Sequence, residues 1–194
     1  GIFMILLFIG ILLGIGCIRF KESLPTEKRS KTGVFATFRS FGIIVHNRRY
    51  MLYVLQLAFA QGILFAYIAS SPFIIQQHYG FSPFAFSICF AVNAVAIGVA
   101  AAISVKFRRT ENGTLTGCIG MLVFAILQMA ALYSGCGFWT YELLMFALLF
   151  MMGLTFTAST TLAMDCERRY AGAASALLGA LCFASGGIRS EEHT

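Results

Sequence analysis

The chain reads as an all-α protein, a bundle of helices that crosses a bilayer several times. Three observations carry that expectation. Hydrophobic residues make up 59% of its 194 residues and charged ones only 11%, against roughly 25% charged in a soluble domain. Charges are missing from long stretches: Tyr50–Val105, Asn112–Tyr141, Leu143–Met164 and Tyr170–Ile188 contain no Lys, Arg, Asp or Glu. A helix needs about 20 apolar residues to cross the hydrocarbon core, so each stretch holds at least one span, and the first holds two. Finally, the basic residues fall in alternate loops, as a polytopic protein requires.

Taken in order, the first element is an apolar run over residues 1–18. It lacks the basic leader and small-residue cleavage site of a signal peptide and is expected to be a truncated span. Residues 19–49 form a basic connection carrying Arg19, Lys21, Lys28, Arg29, Lys31, Arg39, Arg48 and Arg49. Within it Val34, Phe38, Phe41 and Val45 recur at helical spacing, which predicts a short interfacial helix. Full spans follow at about 50–71, 83–105, 113–134 and 142–164, and another runs from Ala171 to about 188. Pro72 is expected to end the first of these, because the residue before proline is pushed out of helical geometry. Ser82-Pro83 opens the next, with Ser as N-cap and Pro at the first helical position. Residues 189–194, Arg-Ser-Glu-Glu-His-Thr, are what the opening of a common sequencing adapter encodes, and are expected to be a non-native tail.

Loop charge sets the orientation. The 19–49 connection is strongly basic, and Pro72–Ser82 carries no charge. Lys106, Arg108 and Arg109 come next, then an uncharged turn at Ser134–Thr140, then Arg168 and Arg169. The positive-inside rule makes the basic loops cytoplasmic, and their partners include anionic membrane lipid. Nucleic acid is excluded as a partner, because the basic residues adjoin spans and have no aromatic-rich soluble domain to work with.

Six cysteines are scattered over different spans without a C-x-x-C pair, which reads as small core residues rather than a disulfide framework or metal site. No metal and no cofactor is expected. His46 and His78 are lone loop histidines.

Glu22-Ser23-Leu24-Pro25-Thr26-Glu27-Lys28-Arg29 resembles the end of the sixth helix of major facilitator superfamily transporters. Phe65–Gly98, with Tyr67-Ile68, Ser71-Pro72-Phe73, Gly80-Phe81-Ser82-Pro83 and Asn93-Ala94, resembles the seventh-to-eighth helix region of the Bcr/CflA drug/proton antiporter branch. Ala171–Leu181 resembles the start of that branch's eleventh helix. The Gly-Arg-rich signature that the family often carries between its eighth and ninth helices is reduced here to the basic cluster Lys106–Arg109.

The resemblance implies the second half of a twelve-helix transporter. Helix 6 would lie at 1–18, the central loop at 19–49, helices 7 to 11 at 50–188, and the non-native tail at 189–194. It further implies a monomer at full length in the bacterial cytoplasmic membrane, exporting amphipathic small molecules. Protons would be the coupling ion by alternating access. The family's coupling carboxylates commonly lie in the first half. Glu142 and Asp165 are expected at span ends, where water or headgroups solvate them. No span is then left with an ionisable residue, which is the usual marker of a proton relay.

The candidate cavity residues are therefore uncharged. Tyr53, Gln56, Ala60, Leu64, Tyr67 and Ser71 share one helical face, with Gln61 at its edge. A polar stripe must face other helices or a water-filled cavity. The resemblance places this helix beside the central cavity and so favours Gln61 and Tyr67 as lining. Asn93 shares a face with Phe86, Ile97, Ala100 and Ser104; Phe150 and Thr157 share another with Phe146, Gly153 and Met164. Gln56, Gln61, Tyr67, Asn93, Phe150 and Thr157 are the candidate substrate contacts, with interhelical bonding as the alternative role. Gln128 falls on a helix that the family keeps peripheral and is set aside. The small-residue rows Gly10/Gly14, Ala94/Gly98/Ala102 and Gly172/Ala176/Ala180/Ala184 let helix backbones approach closely, for static packing or for sliding contacts between the two halves during alternating access.

An uptake permease for a neutral metabolite is the rival function within the same fold; carriers of anions or sugars would place charged residues in the cavity. The protein is not expected to be an enzyme, since a membrane-embedded enzyme needs a nucleophile–base pair or metal ligands inside a span. A retinal photoreceptor would need an intramembrane Lys, and a channel a filter loop.

The orientation is testable with alkaline phosphatase fusions to the full-length gene product. Fusions within Ser134–Thr140 should be active and fusions after Arg109 or Arg169 inactive; the reverse pattern would invert the topology.

Overall fold

The computed structural model describes residues 2–19, 34–107 and 109–191, and every element among them is helical. The Glu22–Arg29 motif, the basic residues Lys21, Lys28, Arg29, Lys31 and Arg108, and the tail residues 192–194 lie outside the described residues. The helices are α1 (Ile2–Arg19), α2 (Val34–His46), α3 (Arg48–Pro72), α4 (Pro83–Ser104), α5 (Thr110–Tyr133), α6 (Phe138–Cys166) and α7 (Ala171–Glu191). Two units are distinguished, Gly1–Phe35 and Ala36–Thr194.

In the first unit, α1 is apolar all round and exposes its large side chains from Phe3 to Ile18. A helix of that composition belongs in an apolar medium, although Phe3–Ile18 is shorter than a full span.

The second unit is organised around α6, which packs against α3, α4 and α5, while α3 also packs on α7. Among the described residues, four helical stretches are long and apolar enough to cross a membrane: Arg48–His78, Pro83–Ser104, Thr110–Tyr133 and Phe138–Cys166. Large apolar side chains such as Leu52, Phe59, Val95, Ile119, Leu122 and Leu143 point outward, the arrangement expected of a lipid-facing surface. Side chains inside form two clusters. One lies toward the Ser134–Gly137 turn, the uncharged end, and contains Tyr67, Ile75, Phe138, Tyr141, Met145 and Leu149. The other lies toward the basic loops and contains Ile44, Tyr50, Val54, Ala163 and Ala174.

Local sequence sets the helix starts. Asn47 caps α3, its Oδ1 accepting from the backbone N–H of Arg49 (3.1 Å) and Tyr50 (3.4 Å). Ser82 Oγ accepts from Ala85 N–H at 3.2 Å, with Pro83 in the first turn of α4, as the sequence predicts. Gly135 takes the left-handed conformation (φ 69°) that reverses the chain between α5 and α6, a geometry that glycine adopts without steric cost. The helix predicted around Val34–Val45 is present as α2, and its Ile44 is fully buried in the core.

Pro72 does not end its helix. The chain continues from α3 into a π-helical segment, Phe73–His78, so the continuous helix is 31 residues long, about 46 Å at 1.5 Å per residue. Proline removes one backbone donor, and the wider turn follows directly after it. Tyr79 N–H reaches Ile74 O (3.1 Å), five residues back, and Phe81 N–H reaches Ile75 O (3.1 Å).

Within the second unit, the small-residue rows do not make the static helix contacts expected of them. Gly98 and its row-mates Ala94 and Ala102 are exposed, as are Gly172, Ala176, Ala180 and Ala184. A Cβ added at Gly98 or Gly172 would meet nothing within 4 Å. The close approaches use other glycines. A Cβ at Gly117 would overlap Thr155 Oγ1 and lie 2.8 Å from Met151 O, so α5 contacts α6 through bare backbone. A Cβ at Gly153 would sit 2.5 Å from Ile97 O and 2.9 Å from Ala100 Cβ on α4. Both glycines lie at positions where α6 touches a neighbour, whereas the repeated rows lie on outward faces. Spacing alone does not distinguish the two cases.

Gly117→Ala and Gly153→Ala should each destabilise the folded protein by about 1–3 kcal/mol through overpacking, while Gly98→Ala should not. Thermal melts by circular dichroism in detergent would show this as a lower midpoint for the first two only.

Candidate functional site

Near the uncharged end, α3, α4 and α6 bring three polar side chains together. Tyr67 falls on the inward stripe of α3 with Ala60 and Ser71, all three buried. Asn93 lies on the buried face of α4 with Ala96, Ala100 and Ser104. Glu142 lies in the second turn of α6 and is half-buried. Asn93, fully buried, spends its amide hydrogens on the other two: Nδ2 donates to Glu142 Oε1 at 2.9 Å and to Tyr67 Oη at 3.1 Å. One amide thereby ties three helices.

The surroundings are aromatic and apolar. Tyr67 stacks on Phe90 with ring centroids 5.8 Å apart and planes 10° apart, and Phe90 contacts Phe86 at 5.9 Å. Tyr141 lies 5.8 Å from Tyr79, whose hydroxyl donates to Cys136 O at 2.9 Å. Several oxygens in this region are buried without a hydrogen-bond partner among the described residues: Asn93 Oδ1, Glu142 Oε2 and Tyr141 Oη. Buried polar atoms are nearly always paired, so an unpaired set in one place marks a functional candidate. A site of this kind offers one amide, two phenols and one ionisable carboxyl inside an aromatic wall. Among the described residues no group of three or more His, Cys, Asp or Glu could hold a metal.

Glu142 corrects the expectation that it is solvated at a span end. The helix begins at Phe138, after Gly137, so Glu142 is inside α6 and turned toward Asn93. Tyr141, Met145, Leu148 and Met152 recur at helical spacing and are buried; that stripe shows the packed face starting before residue 142. Asp165 behaves as expected. It is exposed at the other end of α6 and pairs with Arg168 at 3.0 Å.

Of the six candidate residues, the structure joins Tyr67 and Asn93 directly. Gln56, Gln61, Phe150 and Thr157 are half-buried, and no hydrogen bond links them to that pair among the described residues. Both amide atoms of Gln56 are buried without a hydrogen-bond partner among the described residues. The Thr157 carbonyl accepts from Thr161 Oγ1 at 3.0 Å, a local bond of the kind threonine makes along a helix. Gln128, set aside on the sequence, is buried on the α5 face formed with Gly113, Gly117 and Met121, its amide also unpaired among the described residues. The spacing of those residues is the signal that places it inside.

At the basic end a second polar link holds α3. Asn47 Nδ2 donates to Glu167 Oε1 at 2.7 Å, and the buried Tyr50 hydroxyl donates to Ala174 O at 2.7 Å. Neither bond follows from the sequence, since Asn47 and Glu167 lie 120 positions apart.

Long apolar helices with a polar cluster enclosed between them define a polytopic helical membrane protein. The chain belongs to the Major Facilitator Superfamily, whose family model matches residues 1–189. It is also 34% identical, over 97% of its length, to a Bacillus subtilis (strain 168) protein named "Uncharacterized MFS-type transporter YdgK". The chain spans 48% of that relative's length. No solved structure matches. The resemblance drawn from the sequence motifs thus holds at the level of the superfamily.

Asn93→Leu should cost about 1–3 kcal/mol, because it leaves a buried carboxyl oxygen and a phenol without their donor. Tyr67→Phe should cost less, since Asn93 still reaches Glu142. Equal melting midpoints for wild type and Asn93→Leu in detergent would show that the bridge holds nothing.

Proposed function

We propose that this chain forms part of a secondary active transporter that exports amphipathic small molecules from a bacterial cell, by proton antiport and alternating access. The observation that carries the reading is the character of the enclosed cluster. Tyr67 and Asn93 offer a few directional hydrogen bonds inside a wall of Phe86, Phe90 and Tyr141, and no Lys or Arg lies among them. Sites for drug-like compounds are mostly apolar with a small number of placed polar groups. Membership of the superfamily supplies the transport frame. The half-buried Gln56, Gln61, Phe150 and Thr157 extend the candidate lining along α3 and α6.

The Bcr/CflA-like motifs in Phe65–Gly98 and Ala171–Leu181 favour drug export over other activities of the superfamily. An uptake permease for a neutral metabolite is the second reading. The Tyr67–Asn93 pair favours it, because those groups would also bind an uncharged hydroxylated solute.

The test is expression of the full-length gene product in a bacterium deleted for its own efflux pumps. Export predicts lower steady-state accumulation of a fluorescent hydrophobic cation and a raised inhibitory concentration, both abolished by a protonophore. Unchanged accumulation of every hydrophobic compound, together with gain of uptake of a neutral metabolite, would replace this reading with the second one.

A further inference from the structure

We draw no further inference here: the strongest candidate, the open groove between the π-helical segment and the end of α5 that is lined by Phe73, Ile74, Gln77, His78 and Leu132, carries nothing because no feature of the structure shows what covers it.

Discussion

Inside a bilayer no water is at hand to satisfy a polar group, so each must find a partner within the protein or line a wet cavity. That constraint shapes this chain at every level. The backbone answers it by forming helices. After Pro72, which lacks a donor, the chain stays helical and widens into a π-helical turn rather than breaking. Side chains answer it by pairing across helices: Asn93 with Tyr67 and Glu142, Thr114 with Ser159 at 3.2 Å, Tyr50 with the Ala174 carbonyl. The hydrophobic effect gives no drive for helices to associate in lipid, so close van der Waals contact must contribute. Here it comes from Gly117 and Gly153, which let α6 meet α5 and α4 at backbone distance.

These two kinds of contact make α6 the element on which the rest of the second unit is assembled. Its buried stripe runs from Phe138 through Met145 and Met152 to Ala163. Glycines hold its middle, Glu142 marks one end, and Glu167 just beyond its other end bonds Asn47. A carboxylate at each end of the most buried helix is therefore engaged by an asparagine from another element, and the two are not equivalent. Glu167 follows the helix beside the basic loops, whereas Glu142 lies at the uncharged end, half-buried and bonded to Asn93.

Much of this was legible in the sequence, because the signals involved are long. Charge-free stretches define the spans, and alternate basic loops give their order; α3 to α6 lie where those signals put them. Ser82-Pro83 forms its cap because capping is local chemistry. What the sequence concealed depends on which neighbour a face meets. A stripe such as Ala94/Gly98/Ala102 has the same spacing whether it faces a helix or the outside, and here it faces outward. Gln128 is buried because α5 turns that face to α6, a matter of pairing that no single helix records. Glu142 was misread for a smaller reason. Starting the span at the charge itself hides the four residues, Phe138–Tyr141, that already belong to the helix. Tyr67 and Asn93 were readable as inward-facing polar residues, but not as partners, since they lie 26 positions apart on separate helices.

The two ends of α3 are held by bonds that respond differently to conditions. At the basic end, Tyr50 donates to a backbone carbonyl, a neutral acceptor whose strength does not change with protonation. At the other end, Tyr67 is joined to Asn93, whose remaining amide hydrogen serves a carboxyl group. Changing the charge on that carboxyl changes how firmly the amide is drawn toward α6, and so how it is shared with α3. One end of α3 is thus tied to a neutral backbone acceptor and the other, through an amide, to an ionisable carboxyl. Between them lies the face carrying Gln56, Ala60 and Leu64, where the sequence placed the candidate lining.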